Sequence, residues 1–107
     1  MSFSGNEGTY ITLSQGSTWT ASYRSAHSGA VKAHFFGKTK LTEMLNQTNC
    51  VGLRFYRAID DNGADQLVVV GVTSACVDMT SGLILDRSLL CPPYCDSGSE
   101  LNGGNGL

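Results

Sequence analysis

Between residues 50 and 72 the apolar and polar positions fall into two contrasting patterns joined by a turn. Val51, Leu53 and Phe55 alternate with Gly52, Arg54 and Tyr56, the period of two that places one set on each face of a strand. Leu67, Val68, Val69 and Val70 are apolar at every position, as in a strand covered on both faces. Between these runs lies Asp60-Asp61-Asn62-Gly63-Ala64-Asp65. Its Asn-Gly pair tolerates positive φ and its aspartates can bond their own backbone, which predicts a hairpin reversal. Within residues 39–47, Leu41, Met44 and Leu45 stand at i, i+3 and i+4 after a break at Gly37, predicting a helix capped by Thr39. Leu83, Ile84 and Leu85 suggest a third short strand.

Residues 9–26 support two readings. Trp19, Ala21 and Tyr23 alternate as a strand would, while Trp19, Tyr23 and Ala26 fall on one helical face that Ser14 could cap. Gly16 and the many Ser and Thr residues make that helix intrinsically poor. Residues 1–8 read as a flexible lead, Pro92-Pro93 stops regular structure, and residues 96–107 have the composition of a disordered tail. The chain is therefore expected to be a single small domain, with residues 9–95 as its body.

Composition narrows the function classes. Only 15% of the 107 residues are charged, against about a quarter in an ordinary soluble domain. Such a surface repels other proteins weakly and permits close association. A net charge of −2 with seven scattered Lys and Arg gives no basic face for nucleic acid, and no apolar run has the length of a membrane span. The opening MSFSGNEGTYITL carries neither a basic n-region nor an apolar h-region, so the expected location is the cytoplasm, unless export follows a route without such a signal. There the four cysteines, Cys50, Cys76, Cys91 and Cys95, are expected to be thiols. Under oxidation Cys91 with Cys95 is the natural local pair, and Cys50 with Cys76 could staple the hairpin, although spacing leaves three connectivities open.

Several chemical motifs fail on spacing. Gly37-Lys38-Thr39 ends like a phosphate-binding loop, but the glycine required five positions earlier is Lys32. Aligning Gly63 with the glycine of a calcium loop puts Ala58 and Val69 at ligand positions, so the oxygen cage fails. Cys91-Pro92-Pro93-Tyr94-Cys95 has three residues between its cysteines rather than the two of a thioredoxin-type dithiol, and reads as a rigid knot. Cys91, Cys95, Cys50, Cys76 and His34, with His27, are the right types for zinc but lack paired short repeats. Cys50 with His34 or His27 could form a nucleophile and base, but Cys50 opens a strand, with no helix N-terminus to stabilise a thiolate. No cofactor is called for, and Asn46-Gln47-Thr48 matches a glycosylation sequon that matters only on a secretory route. Trp19, Tyr23, Phe35 and Phe36 could line a groove or fill the core.

At His34-Phe35-Phe36-Gly37-Lys38, Cys50-Val51-Gly52-Leu53-Arg54-Phe55-Tyr56, Val68-Val69-Val70-Gly71-Val72 and Cys91-Pro92-Pro93-Tyr94-Cys95 the chain resembles a group of small, uncharacterised bacterial proteins. The resemblance implies a helical N-terminal half and supplies no activity, cofactor or catalytic residue. The expected fold is α+β, two N-terminal helices packed on a small, mainly antiparallel sheet built around the hairpin. The expected function is that of a non-enzymatic subunit that forms a homo-oligomer or docks on another protein through its ends, with Leu101, Asn102 and Leu107 as partner contacts. The alternative is a thiol- or zinc-based protein centred on Cys91 and Cys95.

Overall fold

The computed structural model describes residues 1–104. It is α+β, and it divides into two compact units. Unit 1 joins Met1–Gly8 to Phe36–Ser88, while unit 2 joins Thr9–Phe35 to the chain from Leu89 onward. The residues read above as a flexible lead thus belong to unit 1, although the whole of Thr9–Phe35 separates them from its remainder.

Unit 1 is a three-stranded antiparallel sheet with one helix. Strand β2, Cys50–Ile59, pairs with β3, Asp65–Thr73, from Cys50 opposite Thr73 to Ile59 opposite Asp65, with a register shift between Cys50 and Gly52. The reversal between them is closed by backbone bonds from Asp60 to Ala64 and from Gly63 to Asp60, and braced by one side chain. Asp60 Oδ1 accepts the amides of Asn62 (2.9 Å) and Ala64 (3.0 Å), and Gly63 takes φ 80°, which favours glycine. Strand β4, Ile84–Leu85, pairs on the far side of β3 with Val69 and Val70, so β3 is central. Its apolar run follows from that position: Val69, Val70 and Val72 are buried, Val69 completely.

Helix α2, Lys38–Leu45, packs against β2 and β3 and supplies Met44 as the remaining buried apolar side chain of this unit. Gly37 occupies its N-cap with no side-chain hydrogen bond, which places Thr39 inside the first turn rather than at the cap. Leu41 is half-buried and Leu45 faces outward. The apolar stripe is therefore narrower than its sequence spacing suggests.

Unit 2 begins with helix α1, Leu13–Ala26. Its start is fixed by a capping box rather than by Ser14. Thr12 Oγ1 accepts the Gln15 amide (3.1 Å), and Gln15 Oε1 accepts the Thr12 amide (3.1 Å). Hydroxyls that make the helix intrinsically poor bond back to its own carbonyls, as Ser17 does to Ser14, Thr20 to Ser17 and Ser22 to Thr18. Strands β1, Ala33–Phe35, and β5, Leu89–Cys91, form a two-stranded antiparallel ribbon with Ala33 opposite Cys91. A short 3-10 helix, Glu100–Asn102, packs on α1. It is capped by Ser99, whose Oγ accepts the Leu101 amide, and closed by Gly103 at φ 93°.

Among the described residues no helix is long and apolar enough to cross a membrane.

Candidate functional site

The lead of unit 1 is docked rather than loose. The Phe3 amide donates to Ser74 O (2.8 Å), the Cys76 thiol lies 3.7 Å from Met1 O, and Gly5 lies against Val51. A side chain on Gly5 would meet Val51 O at 3.2 Å, and its φ of 93° favours glycine, so two independent constraints select this residue. Glu7 folds the segment onto itself. Its carboxylate accepts the Ser4 amide (2.8 Å), the Ser4 hydroxyl (3.1 Å) and the Gly5 amide (3.0 Å). Beneath the segment runs a groove of about 340 Å³, bounded by Phe3, Gly5 and Glu7 on one side and by Val51, Leu53, Arg54 and Val72 on the other.

Arg54 organises the polar end of this groove. Its guanidinium lies over the Phe3 ring, 5.7 Å from the centroid, close enough for a cation–π attraction. The same guanidinium pairs with Asp78, whose second carboxylate oxygen accepts the Tyr56 hydroxyl. Alternation in β2 puts Arg54 and Tyr56 on one face, and the bridge between Val72 and Asp78 brings the acid beside them. The Tyr56 oxygen, followed by the negative charge of Asp78, holds the Arg54 pKa above its ordinary value. The cluster is therefore an anchored cation that grips an aromatic side chain of an extended segment, a binding geometry rather than a reacting one.

Two carboxylates in unit 1 give this docking and the hairpin a pH dependence. The Ser4 amide is the main cause of a lowered Glu7 pKa, and the Ala64 amide, then Gln66 and the Asn62 amide, lower that of Asp60. A carboxylate depressed on folding stabilises fully above its unfolded value and loses that contribution as pH falls through its folded one. The Ser4–Glu7 turn and the Asp60 turn should therefore persist down to their ordinary values, 4.5 and 3.8, and open only below them. Amide NMR titrations of Gly5 and Ala64 test this. Midpoints at or above those ordinary values would contradict it.

The remaining candidates scatter. Cys91 and Cys95 are bridged in unit 2, their Cα atoms 4.8 Å apart, whereas Cys50 and Cys76 of unit 1 are free thiols. His34 sits in β1 opposite Leu90, and His27 follows α1 with its ring stacked on Tyr23 at 4.4 Å. Among the described residues no three His, Cys, Asp or Glu side chains gather to hold a metal ion. Of the candidate aromatic residues, Phe36 of unit 1 tilts against Phe55, while Trp19 and Phe35 of unit 2 are exposed.

Of the expected partner contacts, Asn102 is only 7% exposed and bonds within unit 2, Leu101 is half exposed against α1, and Leu107 lies outside the described residues. The groove under Met1–Gly8 escapes a reading based on local spacing. The one available signal is Arg54 and Tyr56 two apart on a strand, which marks a polar face but not its occupant.

No protein-family model, curated protein or solved structure matches this chain.

Proposed function

We propose that the protein is a non-enzymatic subunit that self-associates by lending the Met1–Gly8 segment of one copy to the groove of another. The observation that carries this reading is a discontinuity. The chain leaves unit 1 at Gly8 and returns only at Phe36, yet the segment before Gly8 docks on Ser74, Val51 and Arg54. Those contacts are the same whichever copy supplies the segment. Exchange between copies therefore costs little in enthalpy and is favoured as concentration rises.

Two further features support it. A chain in which only 15% of the residues are charged offers little repulsion between copies. Among the described residues, the ten-residue strand β2 has no strand partner on its outer edge and presents Phe55, Tyr56 and Ile59 to solvent. An extended segment from a neighbour can continue its backbone pairing there.

Light scattering across a concentration series tests the proposal. The full chain should rise above the 11.3 kDa of one copy as concentration increases. Deleting residues 1–8 should hold it at the mass of a single shortened copy, with circular dichroism showing that the sheet survives. Asp78→Ala, which removes the partner shared by Arg54 and Tyr56, should weaken association by about tenfold. A single-copy mass at every concentration would sink the reading. The thiol- or zinc-centred alternative separates from it by composition: two free thiols and no stoichiometric metal in purified protein would count against metal chemistry, whereas bound zinc would favour it.

A further inference from the structure

Unit 2 has almost no core. Among its described residues the one apolar side chain withdrawn from water is Cys91, 5% exposed, and α1 buries none of its own. Leu13, Trp19, Phe35, Leu89 and Tyr94 stay exposed. A body this small needs some constraint other than apolar burial, and the Cys91–Cys95 bridge supplies one.

A continuous run of bonds leads from that bridge to the C-terminal segment. Cys95 is followed by Asp96, whose carbonyl accepts the buried Asn102 Nδ2 at 2.8 Å and the Ser99 amide at 3.2 Å. Asn102 Oδ1 accepts the Gly104 amide at 3.0 Å, so the Asn102 side chain ties the start of the segment to its end. The 3-10 helix is in turn fastened to the first half of the unit. Arg24 Nη1 donates to Leu101 O at 2.8 Å, Lys32 Nζ donates to Asn102 O at 3.1 Å, and Leu101 lies over Gly16. On the other side of the bridge, Cys91 O accepts the Lys32 amide at 2.6 Å and closes the β1–β5 ribbon. The bridge is thus the covalent link between the ribbon and the Asp96 turn that carries the 3-10 helix, beside the weaker bonds from the Tyr94 amide to Leu90 O (2.9 Å) and from Lys32 to Cys91 and Asn102.

We propose that the Cys91–Cys95 bridge is a redox latch for residues 96–104, opened by a dithiol. The attack falls on Cys95 Sγ, because Cys95 is half-buried beside exposed Pro93 and Tyr94 while Cys91 is buried. A thiolate of the reductant bonds to Cys95 Sγ, the S–S bond breaks, and Cys91 leaves as a thiolate that takes up a proton. The second thiol of the reductant then displaces Cys95, which is protonated in turn, and the reductant closes as a cyclic disulfide. Two electrons and two protons pass from the dithiol to the protein. With the bridge gone, the Asp96 turn loses its fixed anchor and the 3-10 helix releases α1.

The test treats the full chain with excess dithiothreitol and follows thiol count, amide exchange and tryptic cleavage after Arg24. Free thiols should rise from two to four. Amide exchange over Gly16–His27 and at Gly103, together with cleavage after Arg24, should accelerate by about tenfold or more, while Val68 to Val72 keep their protection. Asn102→Ala should produce the same acceleration with the bridge intact, and reduction should then add little. The latch is overturned if α1 and residues 99–103 keep their protection once all four thiols are free. It is equally overturned if unit 1 loses protection in step, or if the untreated protein already has four free thiols.

Discussion

Met44→Ala should destabilise unit 1 by about 2–5 kcal/mol, the range for truncating a buried methionine. The size of the effect follows from how few side chains share the task. Met44 is 2% exposed, and the other buried apolar side chains of that unit are Val69, Val70 and Val72, all on one strand. Met44 is thus the one contribution of α2 to that buried set. Truncation leaves a cavity between helix and sheet, and no other side chain of α2 is fully buried to close it: Leu41 is half-buried and Leu45 points to solvent. Met44→Leu keeps the volume and should cost less than about 1.5 kcal/mol. Urea unfolding followed by circular dichroism measures both. Equal midpoints for the alanine and leucine variants would show that α2 is not held through this residue.

The second large effect is expected at Gly71, where the objection is space rather than conformation. A Cβ there would stand 2.9 Å from Gln47 Nε2 and 3.1 Å from both Cys50 Sγ and Met79 Sδ. The glutamine cannot swing aside freely. Its Nε2 donates to Met44 O and its Oε1 accepts the Leu83 amide, both at 2.9 Å. Gly82 is closed off by the same side chain, since a Cβ on it would run into Gln47 Oε1. Gly71→Val should therefore cost about 3 kcal/mol or more, and Gly71→Ala about 1–3 kcal/mol, as overpacking of a filled interior does. Loss of the Gln47 bonds adds to the strain. Unchanged urea midpoints for both variants would mean that the sheet yields at this point.

The contrast between Met44 and Gly71 shows what kind of information the chain displays locally. Met44 belongs to an i, i+3, i+4 set and can be marked as inward-facing from spacing alone. Gly71 interrupts a run of valines, and its neighbours come from the turn after α2, from the start of β2 and from the loop before β4, none of which spacing identifies. The α+β character rests on local signals: alternation at Val51, Leu53 and Phe55, the Asn62-Gly63 reversal, and the helical set in α2. The capping box of α1 was also written locally, as Thr12 with Gln15 three positions on. It was obscured by Ser14 and by alternation at Trp19, Ala21 and Tyr23.

What spacing conceals is pairing at a distance. Strands β1 and β5 are each three residues long, too short to show a period, and become strands only by meeting each other. The groove beneath Met1–Gly8 depends on Arg54 finding Asp78, which lies 24 residues away. The tail misleads in another way. Its glycine content suggests disorder, yet Ser99 and Gly103 sit where a short helix begins and ends.

The interleaving of the two units has a consequence for how the protein is made. A growing polypeptide holds every piece of unit 1 once Ser88 has been synthesised, whereas unit 2 still awaits β5 and the 3-10 helix. Until that last stretch emerges from the ribosome, the half of unit 2 already translated, α1 and β1, hangs as an unfinished loop between two parts of a body that can already close. Birth order thus sets maturation order, with the sheet first and the disulfide-bearing half last.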